Sequence, residues 1–198
     1  MNTVFTKYFS MALLLALAGC AGKDFVRPSS DTFQLGQTTY SQVVQQMGEP
    51  QRTGVVEKNG KEIKTISFAY ASVGGEPSES GVTPARVQAY FFHENILVGK
   101  EFISSYKSDS SNFDEAKTTV IKKGETTRSE VTKILGQPTA AYIPPMVDTS
   151  SGEAIGYAYT TVRGGPFTGF KTFTKILRIS FDENGIVNDV ELMTSGTK

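Results

Sequence analysis

The chain has 198 residues, with 20 basic and 20 acidic side chains and a formal net charge of zero. That balance gives neither the basic footprint of a nucleic-acid binder nor a basic membrane-binding face. One cysteine and one histidine exclude an internal disulfide and a cysteine-based zinc site, and no metal or cofactor is expected.

In chain order, the first feature is an apolar run from Met11 to Gly19, preceded by Lys7. It is shorter than the ~20 residues that cross a bilayer. It has the length of a secretory signal core and closes on small residues. The sole cysteine follows directly, and Leu17-Ala18-Gly19-Cys20 resembles a bacterial lipobox. That resemblance implies a signal peptide over 1–19, cleavage before Cys20, a diacylglycerol on its thiol and acylation of the new amino group. An ordinary signal peptide with an incidental cysteine, or a buried N-terminal helix, is the competing reading. Ala21 in place of Asp points, by the same resemblance, to the outer membrane, with the chain facing the periplasm. Residues 20–32, with Gly22, Pro28, Ser29 and Ser30, read as anchor and tether.

Two fifteen-residue phrases follow 88 positions apart, GQTTYSQVVQQMGEP (36–50) and GETTRSEVTKILGQP (124–138). Each spells a short helix. Thr39 with Gln42, and Thr127 with Glu130, have capping-box spacing. Tyr40, Val43, Val44 and Met47 make one apolar face, and Val131, Ile134 and Leu135 the other. Gly48 and Pro50, then Gly136 and Pro138, are stops. A further short helix is expected within 112–121.

Strands are expected near 52–57, 62–72, 85–93 and 96–105, then near 139–143, 154–162, 173–181 and 186–193. Lys58-Asn59-Gly60-Lys61 is a two-residue hairpin turn. Residues 163–173 read as a Gly-rich mobile tip. The expected fold is α+β: two tandem repeats, over 33–110 and 111–198, each a short helix or helix pair on an antiparallel sheet of three to four strands. The two units either pack together or continue as one curved sheet.

Gly36, Thr38, Thr39, Val43, Met47, Gly48 and Pro50, with Gly124, Thr126, Thr127, Val131, Leu135, Gly136 and Pro138, resemble the SmpA/OmlA family of outer-membrane lipoproteins. The doubled unit is also similar to the β-lactamase inhibitory protein fold. The first resemblance implies an accessory role in outer-membrane assembly. The matching residues are caps, packing faces and stops, so they carry a fold and no binding site.

Candidate sites are few. His93 lies at a turn without a sequence-adjacent nucleophile. Asp182-Glu183-Asn184-Gly185 lacks the ligand spacing of a calcium loop and reads as a turn. Asp114-Glu115 suits a helix start. Arg163–Phe170 is Gly-rich but has no phosphate-loop ending. Phe167, Phe170 and Phe173 either anchor a partner or cover the sheet edge. Phe68, Tyr70, Tyr157 and Tyr159 share one strand face, which is core if the helices cover it and an open binding strip if they do not. Low-specificity binding candidates are therefore Tyr70, Tyr159, Phe167 and Phe170, and Cys20 is the lipidation site. The functional reading is a non-enzymatic, membrane-anchored scaffold or protein-binding lipoprotein with an envelope protein as partner. An inhibitor or sensor using a concave face is the alternative, and a hydrolase built around His93 a third.

Overall fold

In the computed structural model, residues 22–72, 74–147, 152–165 and 167–197 are described. Cys20 and the signal-like run lie outside them. Eight strands form one antiparallel sheet in chain order. They are β1 (Arg52–Lys58), β2 (Lys61–Ala71), β3 (Ala85–His93), β4 (Ile96–Ser104), β5 (Ala140–Tyr142), β6 (Glu153–Gly165), β7 (Gly169–Phe181) and β8 (Val187–Gly196). Helices are minor: α1 (Tyr40–Met47), α2 (Arg128–Leu135) and a 3₁₀ turn at Glu115–Val120.

This overturns the expected fold class of two helix-on-sheet repeats. The seam is the β4–β5 ladder, where Gly99, Lys100 and Glu101 oppose Tyr142, Ala141 and Ala140. β5 has only 3 residues, yet it pairs with β4 on one side and β6 on the other. Separate sheets would have left strand edges open there. Periodicity tells which way side chains point but not which edges meet, so the seam left no trace in the sequence pattern. The 163–173 tip also differs from expectation: β6 and β7 pair out to Gly165 opposite Gly169.

The helices owe their ends to local chemistry. The Thr39 N–H donates to the Gln42 side-chain oxygen at 2.8 Å, and the Thr39 hydroxyl accepts from the Gln42 N–H. Thr127 and Glu130 do the same at 2.8 Å. Gly48 and Gly136 follow at φ 83° and 84°, a conformation that favours glycine. Helices this short do not persist alone. They are held by packing on one sheet face. Val43 joins Phe33, Ile66, Phe68, Tyr90 and Leu97, while Val131 joins Phe113, Tyr157, Leu177, Ile179 and Phe181. Phe68, Tyr90, Phe92, Tyr157 and Phe181 of the strands therefore lie under the helices.

The opposite face is covered only in part, where Met146 and Val147 pack on Ile63, Phe91, Val98 and Tyr142. Lys58 of β1 and Met193 of β8 line one cavity of about 40 Å³, although β2 to β7 stand between them. With strands about 4.8 Å apart, a flat sheet would separate β1 from β8 by roughly 34 Å. The sheet is therefore curled, with the helices on its convex side. Asn59 clamps the curl, its side-chain amide donating to the Pro145 and Val147 carbonyls at 2.8 Å each. Asn59 and Gly60 have φ of 51° and 70° in the β1–β2 turn.

The clamp and the turn are separable. Asn59→Gly keeps the turn geometry and loses both side-chain hydrogen bonds, with an expected cost of about 1–2 kcal/mol. Asn59→Asp also tolerates the turn but faces two carbonyls with a carboxylate, so urea denaturation should show it less stable than Asn59→Gly.

Candidate functional site

The concave face is assembled from alternate residues of the central strands. Thr65, Ser67, Ala69 and Ala71 of β2 oppose Phe91, Ala89, Val87 and Ala85 of β3. Ala158 and Thr160 of β6 oppose Ile176 and Thr174 of β7. Small side chains dominate because the inside of a curl has less room per residue than the outside. Thr65, Ser67, Ala69, Ala71, Ala85, Val87, Thr160 and Ile176 are all partly exposed, in strands whose other side lies under the helices.

A polar line crosses this face. Glu101 is 5% exposed, and its carboxylate accepts from the Tyr142 hydroxyl at 3.1 Å. Burial pushes the Glu101 carboxyl up to about 6, against the opposing pull of the Tyr142 hydrogen bond. Burial and the adjacent Glu101 charge hold the Tyr142 hydroxyl well above the usual phenol range, while the positive charge of Arg178 acts the other way. Arg178 in turn pairs with Glu191 at 2.6 Å. Lys58, Tyr142, Met146, Arg178 and Met193 help line the 40 Å³ cavity, which has room for about one water. The Glu101–Tyr142 bond joins β4 to β5, the Arg178–Glu191 pair joins β7 to β8, and the small cavity leaves no space for a substrate. A larger depression of about 550 Å³ opens between Ile143, Glu153 and the 182–185 turn. Two of its carboxylates are already engaged. Glu153 pairs with Arg128, and the Asp182 carboxylate accepts from the Asn184 and Ile186 N–H groups.

The residues singled out by sequence do not converge. Tyr70 is half-buried on the convex side, its ring stacked on Tyr106 at 6.1 Å. Tyr159 is 1% exposed, with its hydroxyl 2.7 Å from Ser78 Oγ and donating to Glu79 at 2.8 Å. Phe167 is fully exposed at the β6–β7 tip, and Phe170 is 60% exposed beside it. His93 ends β3 with Nδ1 3.1 Å from the Glu62 carbonyl. Glu101, Tyr142 and Arg178 escaped notice because a charge in an alternating strand normally faces water, and only the curl turns this side inward.

No protein-family model and no curated protein matches the chain, so the SmpA/OmlA resemblance rests on the two phrases alone. Among solved structures, the chain is similar to a Streptococcus mutans protein provisionally described as a β-lactamase inhibitor protein. The likeness covers 85% of this chain and 90% of that one, with 13% identity and a TM-score of 0.39. At that score it carries no functional weight.

Glu101 should leave a pH signature. Its proton is held more tightly in the folded protein than in the unfolded chain. Its favourable contribution is therefore full below the ordinary value of 4.5 and is lost as pH rises through about 6, by roughly 2 kcal/mol. Glu101→Gln keeps an acceptor for Tyr142 and removes the titration. Denaturation near pH 5 and near pH 8 should show the variant gaining about 1–2 kcal/mol over the native chain at the higher pH.

Proposed function

We propose that the chain is a lipid-anchored protein of the bacterial envelope, on the periplasmic side of the outer membrane, that holds another protein against its concave sheet face without catalysis. The anchor is the Cys20 acylation that the lipobox resemblance implies. The observation that carries the binding reading is the β2–β3 part of the concave face, where the opposed pairs Ala69–Val87 and Ala71–Ala85 are partly exposed with no helix over them. Layered folds cover such a surface, and a contiguous apolar surface left accessible marks an interaction site.

The trough suits a protein protrusion better than a small ligand. Small-ligand pockets enclose about 300–1,000 Å³, whereas the enclosed space on this face is about 40 Å³. Small side chains along β2, β3 and β6 leave a smooth bed for a loop or helix. A scaffold and an inhibitor would use this face alike and differ only in what the occupant does.

Photo-cross-linking in intact cells tests the reading. Probes at Ala69 and Val87 should each yield one discrete adduct with an envelope protein. Probes at the exposed convex-side residues Val55 and Val120 should not. Ala69→Arg should abolish the Val87 adduct while circular dichroism shows the variant still folded. Adducts from the convex probes alone would contradict the proposal.

A further inference from the structure

We infer that the tip of the β6–β7 hairpin, with Phe167 and Phe170, is a second membrane contact that dips into the leaflet holding the lipid anchor. The inference rests on the Cys20 acylation reading. Its starting point is the place where the described chain begins. Gly22 forms a bridge with Tyr70 near the end of β2. It sits so close that a Cβ there would stand 2.0 Å from the Ala69 carbonyl oxygen. The residues after it are tied to the same end. Arg86 reaches the Asp24 carboxylate at 3.7 Å, and its Nη1 donates to the Phe25 carbonyl at 3.3 Å.

β2 and β6 run in the same direction, since every neighbouring pair from β2 to β6 is antiparallel. The end of β2 and the tip after β6 therefore lie at one end of the sheet. Direct contacts agree: Val82, in the loop after β2, bridges to Arg163 of β6, and the Thr83 N–H donates to the Val162 carbonyl at 2.8 Å. Cys20 is two residues before Gly22, and two residues reach at most about 7 Å. A lipid on Cys20 thus holds this end of the sheet at the bilayer.

At that end the most exposed apolar side chain of the chain's described residues is Phe167, with Phe170 beside it at 60%. Aromatic rings are favoured at the boundary between headgroups and acyl chains. Lys171, exposed next to Phe170, supplies a cation at headgroup height. The tip is carried by a ladder running from Glu153–Phe181 to Gly165–Gly169, so it is a stiff prop rather than a loose loop. Two contacts at one end would stop the domain from swivelling on its lipid and so fix the direction in which the trough faces.

The chain contains no tryptophan, so Phe167→Trp introduces a sole tryptophan, excited selectively over the tyrosines at long wavelength. The full lipidated protein is reconstituted in vesicles of phosphatidylethanolamine and phosphatidylglycerol, with and without brominated acyl chains. The Phe167→Trp emission should shift to the blue and lose most of its intensity in brominated vesicles. A Val55→Trp reporter should change little, and Phe170→Trp serves as a second tip reporter. If the protein floats with the vesicles but both tip reporters are quenched no more than Val55→Trp, the tip contact is overturned and the anchor stands. If the protein does not float with the vesicles at all, the anchor and the tip contact both fall.

Discussion

An eight-stranded sheet can approach closure only by curling, and the Asn59 amide fixes how far this one goes. It carries the β1–β2 turn onto the Pro145 and Val147 carbonyls, bringing the first strand over the fifth and sixth. Bending in this sense crowds the inner face and spreads the outer one. Gly99, Ala140, Ala154 and Gly156 meet on the inner face around Tyr142, where added Cβ atoms at Gly99 and Gly156 would stand 3.0 Å from Tyr142 and Ala140. The outer face takes most of the large rings and both helices. The division of labour between the two faces thus follows from curvature.

Charges are handled differently on the two sides. On the convex side Lys175 is 7% exposed. Its ammonium donates to the Phe113 carbonyl at 2.5 Å, pairs with Glu115 at 3.5 Å and stands 4.5 Å over the Phe113 ring. It ties the segment before the 3₁₀ turn to β7. Arg86 plays a similar part, bound to Asp109 at 3.1 Å and lying 4.4 Å over Tyr106. These cations hold connections to the sheet. On the concave side Glu101 has a neutral tyrosine as its hydrogen-bond partner rather than a cation, which is why burial dominates its titration.

How much of this could be read from the sequence depended on range. The capping boxes at Thr39 and Thr127, and the glycine stops after α1 and α2, involve groups within four residues of one another. They were visible because the residue types alone specify the hydrogen bonds. The Asn59-Gly60 turn was visible for the same reason. The β4–β5 seam was not, because the strand near 139–143 was legible but not the edge it pairs with. Gly164 and Gly169 suggested a loose tip, yet the pairing of Val162 with Thr172 and of Arg163 with Lys171 extends the strands through that Gly-rich stretch. Glu101 became a buried group only once curvature decided which side of β4 was inside.

The curl also links fold to function, because it makes one face a trough. Its most direct test is a pulsed electron-resonance distance between spin labels at Lys58 and Met193, on the first and last strands. The account predicts a separation of no more than about half the roughly 34 Å of a flat sheet. A distance near the flat-sheet value would mean that the strands do not close around the concave face, and the trough built on that closure would not exist.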